Sequence, residues 1–401
     1  MRTKIVLIRA LRGLGIFTAS LLCLLTLTEF SPVYDFRQEE FSGKDIFNPY
    51  AGLDSASGWH KACIHTHTRV KGPLNECPCW PDEVIGRYRA FRYDVTALTN
   101  HNLLTVQPLD SSLSRNFYEH GWNIAKVHYN VFGCGKVRLF DHFLPVSVSQ
   151  RQHLINMLAE DGSIVQFNHP LRTINIPALK SIMRNLEGYR LIEMDRWKDP
   201  TQAFWDEALS HGRYSFCTAN DDNHDPYNMV SFANCCEFFN CRIVSSSDLG
   251  RELDEGCFYA AIIPDCTDKG WDAKGHFHSD LPYVKDIGAR GDTLFIRLSE
   301  PAESIETFGK GHTVLARAED SPTLEYILGA GEPYARFSAT FHNGMHIYCN
   351  PFARFDRTES QPTPFKPFAG TVDIPLTVAF NLAVLAVAAL FLLIAVKLFR
   401  R

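Results

Sequence analysis

Six histidines and two carboxylates stand at the ends of apolar runs, and their types and spacing are those of metal ligands. The first pair, His65 and His67, closes the run Ala62-Cys63-Ile64. On a strand, spacing i and i+2 turns both imidazoles to one side, where they can share a cation. Alone, His-x-His is also an ordinary polar strand end. Here the arrangement recurs along the chain. The run at 93–98 leads into Thr99-Asn100-His101-Asn102, Glu119 follows, and His128 opens another apolar run. The run at 163–167 then leads into Asn168-His169-Pro170, and the run at 214–218 into Asp221-Asp222-Asn223-His224. Buried together, such groups repel or go unsatisfied unless a metal holds them. Mixed imidazole and carboxylate ligands suit zinc, manganese or iron rather than calcium.

The elements that must position these residues alternate. Strands are predicted over 61–65, 93–98, 127–132, 163–167, 189–194 and 214–218. Helices are predicted over 81–90, with Pro81 in its first turn, over 176–186, and over 201–211, stopped by Gly212. Repeated βα units predict an α/β fold around a parallel sheet, open or closed into a barrel. In a barrel the carboxyl ends of the strands converge on one face, which would gather the ligands. After about residue 286 the texture changes to short alternating runs (293–298, 312–316, 334–338, 345–348), which predict a small all-β, sandwich-like domain over 286–360.

The chain has 401 residues, 45% of them hydrophobic, and a formal net charge of −5, so it lacks the basic footprint of a nucleic-acid binder. Two uncharged stretches lie at its ends. Residues 13–28 follow Arg2, Lys4, Arg9 and Arg12, and residues 374–396 precede Lys397, Arg400 and Arg401. The second is long enough to span a bilayer. The first reads as a secretory signal or an anchor, and the absence of an Ala-x-Ala site favours the anchor. Basic residues at the outer end of both place the termini in the cytoplasm and the body outside it. The expected plan is an anchor (1–29), a linker (30–58), a metal-binding barrel (59–285), the β-rich domain (286–360), a linker (361–373), a membrane span (374–396) and a basic tail (397–401). Of twelve cysteines, all but Cys23 fall in the body, where some are expected to pair in an oxidising compartment. No pair of Cys-x2-Cys units supports a zinc knuckle. No serine sits in a nucleophilic arrangement with His and an acid. His153, His211, His276 and His278 lack partners at ligand spacing and read as surface or helix-face residues.

The set His65-Thr66-His67, Leu98-Thr99-Asn100-His101-Asn102, Glu119 with His128, Asn168-His169-Pro170 and Asp222-Asn223-His224 resembles the PHP (polymerase and histidinol phosphatase) superfamily, over about residues 59–226. The resemblance implies a distorted (β/α)7 TIM-like barrel, two or three divalent ions, and phosphoester hydrolysis. It implies that His65, His67, Glu119 and Asp222 hold one ion, that Glu119 bridges to a second held by His128 and His169, and that His101 and His224 belong to a third. Two departures stand out. Thr68-Arg69-Val70-Lys71-Gly72-Pro73 lacks the family's extra Asp or His, for which Glu76 or Asn75 would have to reach in, and Asn100 stands where Asp is usual. Arg69 and Arg172 are candidate phosphate clamps, Glu193 a residue lining the site, and Asp94 a structural partner. Two other readings remain open at this stage: a metal-containing binding or sensor ectodomain without turnover, and a hydrolase of a C–N or other non-phosphate bond. The phosphoester is unidentified and no protein partner is inferred.

Overall fold

The computed structural model describes residues 2–72, 75–106, 116–174, 176–194, 201–264 and 266–400. Arg401 of the basic tail lies outside them. In chain order the elements begin with α1 (Arg2–Leu27), β1 (Tyr34–Asp35), β2 (Asp45–Phe47), β3 (His60–Thr66), α2 (Pro81–Ala90), β4 (Val95–Leu98), β5 (Phe117–His120) and β6 (Tyr129–Phe132). Then come α3 (Val148–Ala159), β7 (Ile164–Phe167), α4 (Leu179–Asn185), β8 (Leu191–Met194), α5 (Thr201–Ser210), β9 (Phe216–Ala219), β10 (Cys235–Phe239), α6 (Ser246–Glu255) and β11 (Phe258–Ile262). The remainder is α7 (Gly270–Phe277), β12 (Val284–Arg290), β13 (Thr293–Gly309), β14 (Thr313–Ile327), β15 (Tyr334–Thr340), β16 (His346–Cys349), β17 (Phe352–Phe355), β18 (Thr371–Val372) and α8 (Ile374–Arg400).

The mixed α/β class stands, but the sheets are open and a closed barrel is not shown. Strands β5 to β9 form one five-stranded sheet in sequence order, and β3 and β4 belong to a second, eleven-stranded sheet. Within the first, β6 runs antiparallel to both β5 and β7, whereas β7, β8 and β9 are parallel. The ladder lapses between β4 and β5 and between β9 and β3. Among the described residues, one parallel bridge crosses each gap, His101 to Glu119 and Thr66 to Asn223. Both lapses fall beside candidate ligands, where the backbone turns away from the ladder to aim side chains.

The β-rich stretch does not form a sheet of its own. The larger sheet runs β12-β13-β15-β16-β11-β10-β3-β4, so strands from 284 onward share hydrogen bonds with the sheet that carries His65. The predicted strands at 293–298 and 312–316 are parts of one long hairpin, β13 and β14, in which Pro301 falls at a register shift between Arg297 and Ala302. The expected linker 30–58 is partly in strands: β2 pairs with β17 and β1 with β18, near the opposite end of the chain.

All twelve cysteines are free thiols, against the expected pairing. Cys63, Cys217, Cys235, Cys236 and Cys349 lie buried within or against strands, where a thiol packs as a small apolar side chain. His278 is likewise not a surface residue: its ring is buried between Lys61 Nζ at 2.9 Å and the Ala233 carbonyl at 3.0 Å. Helices α1 and α8 are both long and apolar enough to cross a membrane. They lie side by side and antiparallel, with Arg12 donating to the carbonyls of Leu398 and Phe399. At the other end the Ser31 and Val33 amides donate to Asn381 Oδ1 (3.1 Å) and Thr377 Oγ1 (2.8 Å).

Candidate metal centre

Strand β3 is buried along nearly its whole length, and its apolar middle, Ala62-Cys63-Ile64, lies between Lys61 and His65. His65 is in β3 and His67 just beyond it, and both rings are buried, as the i, i+2 spacing requires. Glu119 comes from the middle of β5, fully buried, and Asp222 from the loop after β9. Four ligand atoms from His65, His67, Glu119 and Asp222 lie within 4.8 Å of one another. His65 Nε2 is 3.4 Å from Glu119 Oε2 and 3.1 Å from Asp222 Oδ1; His67 Nε2 is 3.2 Å and 3.0 Å from the same atoms.

Two of these atoms, His65 Nε2 and Glu119 Oε2, are buried without a hydrogen-bond partner. Orphaned polar atoms converging on one point cost free energy unless a further group satisfies them, and the donor set fits a divalent cation. The other Glu119 oxygen, Oε1, lies 3.2 Å from His128 Nδ1 and 3.4 Å from His169 Nε2, so one carboxylate faces two ligand groups. His101 Nε2 is 3.1 Å from Glu119 Oε2 and 3.3 Å from Glu76 Oε2. The Glu76 carboxylate also lies 4.0 Å from His224 Nδ1, and the chain brings His67, Glu76 and His224 into a third group of ligand atoms. All eight predicted ligands therefore meet, and Glu76 does reach in from the loop after Gly72.

The electrostatics follow from burial and crowding. Burial would raise Glu119 and Asp222, but surrounding imidazoles, led for both by the charges of His101 and His65 respectively, hold both carboxyls well below their usual range. Burial would lower His65 and His67; the carboxylates overcome it, carrying His67 to about 9. For His101 burial prevails and its pKa falls to about 4.

A second layer fixes the first. His65 Nδ1 meets Glu193 Oε1 at 2.8 Å, which turns Nε2 inward, and Glu193 Oε2 accepts the His169 amide at 2.9 Å. Asn168 Nδ2 donates to Glu119 Oε1 at 2.8 Å. Asp221 accepts the amides of Ala233, Asn234 and Cys235 and the Tyr88 hydroxyl, anchoring the Asp222 loop. His169 (φ 26°) and Asp222 (φ 46°) are themselves held in left-handed backbone. Asn100 accepts the Thr68 amide at 2.7 Å and donates to Thr68 Oγ1 and Thr105 Oγ1. An aspartate could not make the two donations, so Asn here pins the segment that follows His67.

Of the two candidate clamps, Arg172 donates to Asp222 Oδ2 at the edge of the cluster. Arg69 is exposed and lies over the Trp80 ring at 5.0 Å. Asp94 faces His60 at 3.2 Å, away from the cluster. Sequence reasoning missed the parts played by Asp221 and Gly121. Gly121 (φ 145°) gives His128 room: a Cβ there would sit 2.4 Å from the ring. A glycine two residues beyond a candidate ligand carboxylate, Glu119, was the available signal. No family model, curated protein or solved structure matches this chain.

Proposed function

We propose that this chain is a membrane-tethered, metal-dependent hydrolase acting on phosphoesters, in the manner of the PHP superfamily that its motifs resemble. Strands β3 to β9 are read as the seven staves of a distorted barrel whose two breaks in the ladder fall at ligand-bearing junctions. His65, His67, Glu119 and Asp222 would hold one ion, Glu119, His128 and His169 a second, and His101, His224 and Glu76 a third. Zinc, manganese or iron fits these donors. Bound there, divalent ions supply a water acidified to near-neutral pKa and a clamp for phosphate oxygens. Glu119 spans two of the groups, Glu193 and Asn168 hold the ligands in place, and Arg172 offers a guanidinium to a phosphate at the rim. Both termini are read as cytoplasmic and the body as extracytoplasmic.

What carries the reading is the pair of orphaned buried atoms, His65 Nε2 and Glu119 Oε2, aimed at the same point as His67 and Asp222. The test uses the full chain in detergent: bound metal is quantified, and hydrolysis of an aryl phosphate is followed with added Mn²⁺ or Zn²⁺. Turnover that a chelator removes and that His169→Ala abolishes is expected. Absence of bound metal overturns the reading. Full metal with no phosphoester turnover leaves the metal-containing sensor ectodomain in its place.

A further inference from the structure

The chain segments that leave the ligands carry large apolar residues outward. From 121 to 127 the chain alternates, with Gly121, Asn123, Ala125 and Val127 inward and Trp122, Ile124 and Lys126 exposed. This reverses the usual soluble pattern, in which the outward positions are polar. Trp122 lies three residues beyond Glu119, Ile124 four before His128, and Ile174 five beyond His169. Leu139 and Phe140 join them. Hydrogen bonds tie the patch together: Trp122 Nε1 to the Leu139 carbonyl at 3.1 Å, the Ile124 amide to Phe143 at 3.1 Å, and the Ile174 amide to Ala125 at 3.2 Å. Asp141 clamps it by accepting the Trp122 amide and Asn123 Nδ2, both at 2.9 Å. These five side chains are 40% to 68% exposed, a contiguous surface of a kind that marks an interaction site.

The same loop is fastened to the end of α1. The Phe143 amide donates to Thr28 Oγ1 at 3.1 Å, and the Leu144 amide to Glu29 Oε1 at 2.8 Å. Phe143 and Val146 then run beside Leu22 and Leu25 of α1 and Val384 and Val387 of α8, lining an open, largely apolar groove of about 460 Å³. The segment that follows the patch, 143–146, thus packs beside the last turns of α1 and the first half of α8, at the end of the two helices that meets the body. An indole at that height, with Lys126 beside it, is the composition of a membrane interface.

We propose that the rim of the metal centre rests in the outer surface of the bilayer and that the substrate is a phosphoester carried on a membrane lipid. Its acyl chains would stay among Trp122, Ile124, Leu139, Phe140 and Ile174 while the head-group phosphate reaches Arg172 and the ligand cluster. This deepens the phosphoesterase reading and rests on it. A protein partner covering the patch is the competing occupant. Continuity with α1 and α8 favours lipid, since no partner need be supplied for a surface already at the membrane.

The full chain is reconstituted into phosphatidylcholine vesicles doped with phosphatidic acid, a monoester, or phosphatidylglycerol, a diester, and assayed in parallel on a soluble aryl phosphate. Replacing Trp122, Ile124 and Leu139 together by serine is expected to slow lipid hydrolysis about tenfold or more while leaving the aryl phosphate rate unchanged. A second readout needs no turnover: lipids brominated on their acyl chains are expected to quench a component of the fluorescence that Trp122→Phe removes. Hydrolysis of the aryl phosphate with neither lipid cleaved, or a triple variant that treats both substrates alike, overturns the lipid substrate and leaves the phosphoesterase reading intact. Hydrolysis of none of the probes by the unaltered chain overturns both. Absence of Trp122 quenching removes the rim from the bilayer and gives the patch to a protein partner.

Discussion

Glu193 shows how one carboxylate can govern a site without entering it. Its two oxygens hold the His65 ring and the His169 amide, two neighbouring members of the cluster. Glu193→Ala is therefore expected to weaken metal affinity by about 10–100-fold, measured by titration calorimetry on the metal-stripped chain, with little change in melting temperature. Glu76 makes a separable contribution. Glu76→Gln is expected to remove one ion from the stoichiometry found by elemental analysis and to leave the ions at Glu119 in place. At this scale six of the eight candidate ligands were legible because they follow the ends of apolar runs, and the period of a strand says which way such residues point; Glu119 and His128 were found through the motif resemblance. The supporting residues were less so. Asp221 reads as one acidic residue of a polar loop until the fold delivers three amides to it, and nothing local to Asn100 tells that its side-chain NH₂ is needed as a donor.

Among the elements, α5 and β15 are joined by a buried ion pair. Arg336, fully buried between the Trp205 and Phe308 rings, donates from Nε to Asp206 Oδ1 at 2.9 Å and from Nη2 to Oδ2 at 2.5 Å. Removing one partner strands the other charge, so Asp206→Ala is expected to destabilise the fold by about 3–5 kcal/mol in chemical denaturation. Glu237 on β10 gives a pH-dependent case. Burial raises its carboxyl well above the usual range, and Oε1 accepts the Ala219 amide at 2.9 Å. The folded chain keeps a proton that the unfolded chain loses, so this residue costs more stability as pH rises above the ordinary carboxylate range. The melting temperature of Glu237→Gln relative to the unaltered chain is thus expected to climb between about pH 5 and about pH 8. The helix Pro81–Ala90 and the strands flanking it were readable from periodicity and a proline at the first turn. Strand β5 was not read as one, because its run Phe117-Tyr118-Glu119-His120 mixes aromatic and charged residues that only the cluster explains. Nor was the pairing of β10 with β3, which joins residues far apart in sequence and leaves no local trace.

At the scale of the whole molecule, two apolar helices bracket a body whose halves share one sheet. A reporter fused after Arg400 is expected to be read on the cytoplasmic side, and a signal from the opposite side would reverse the orientation. The terminal stretches were plain from composition, whereas the merging of the β-rich stretch into the sheet of His65 was not, since alternation announces a strand but not its neighbour. That merging bears on how the protein is made. β2 waits for β17, and β1 for β18, each closing a loop of some three hundred residues. Ligand-bearing β3 is flanked by β10, itself backed by β11 and β16. Emerging from the ribosome, α1 can insert early, but β1 and β2 just behind it stay unmatched until residues 352–372 have been synthesised. Biogenesis is then a long exposure of sticky edges, and chains cut short before about residue 350 are expected to be captured by chaperones and degraded rather than to accumulate as a metal-binding fragment.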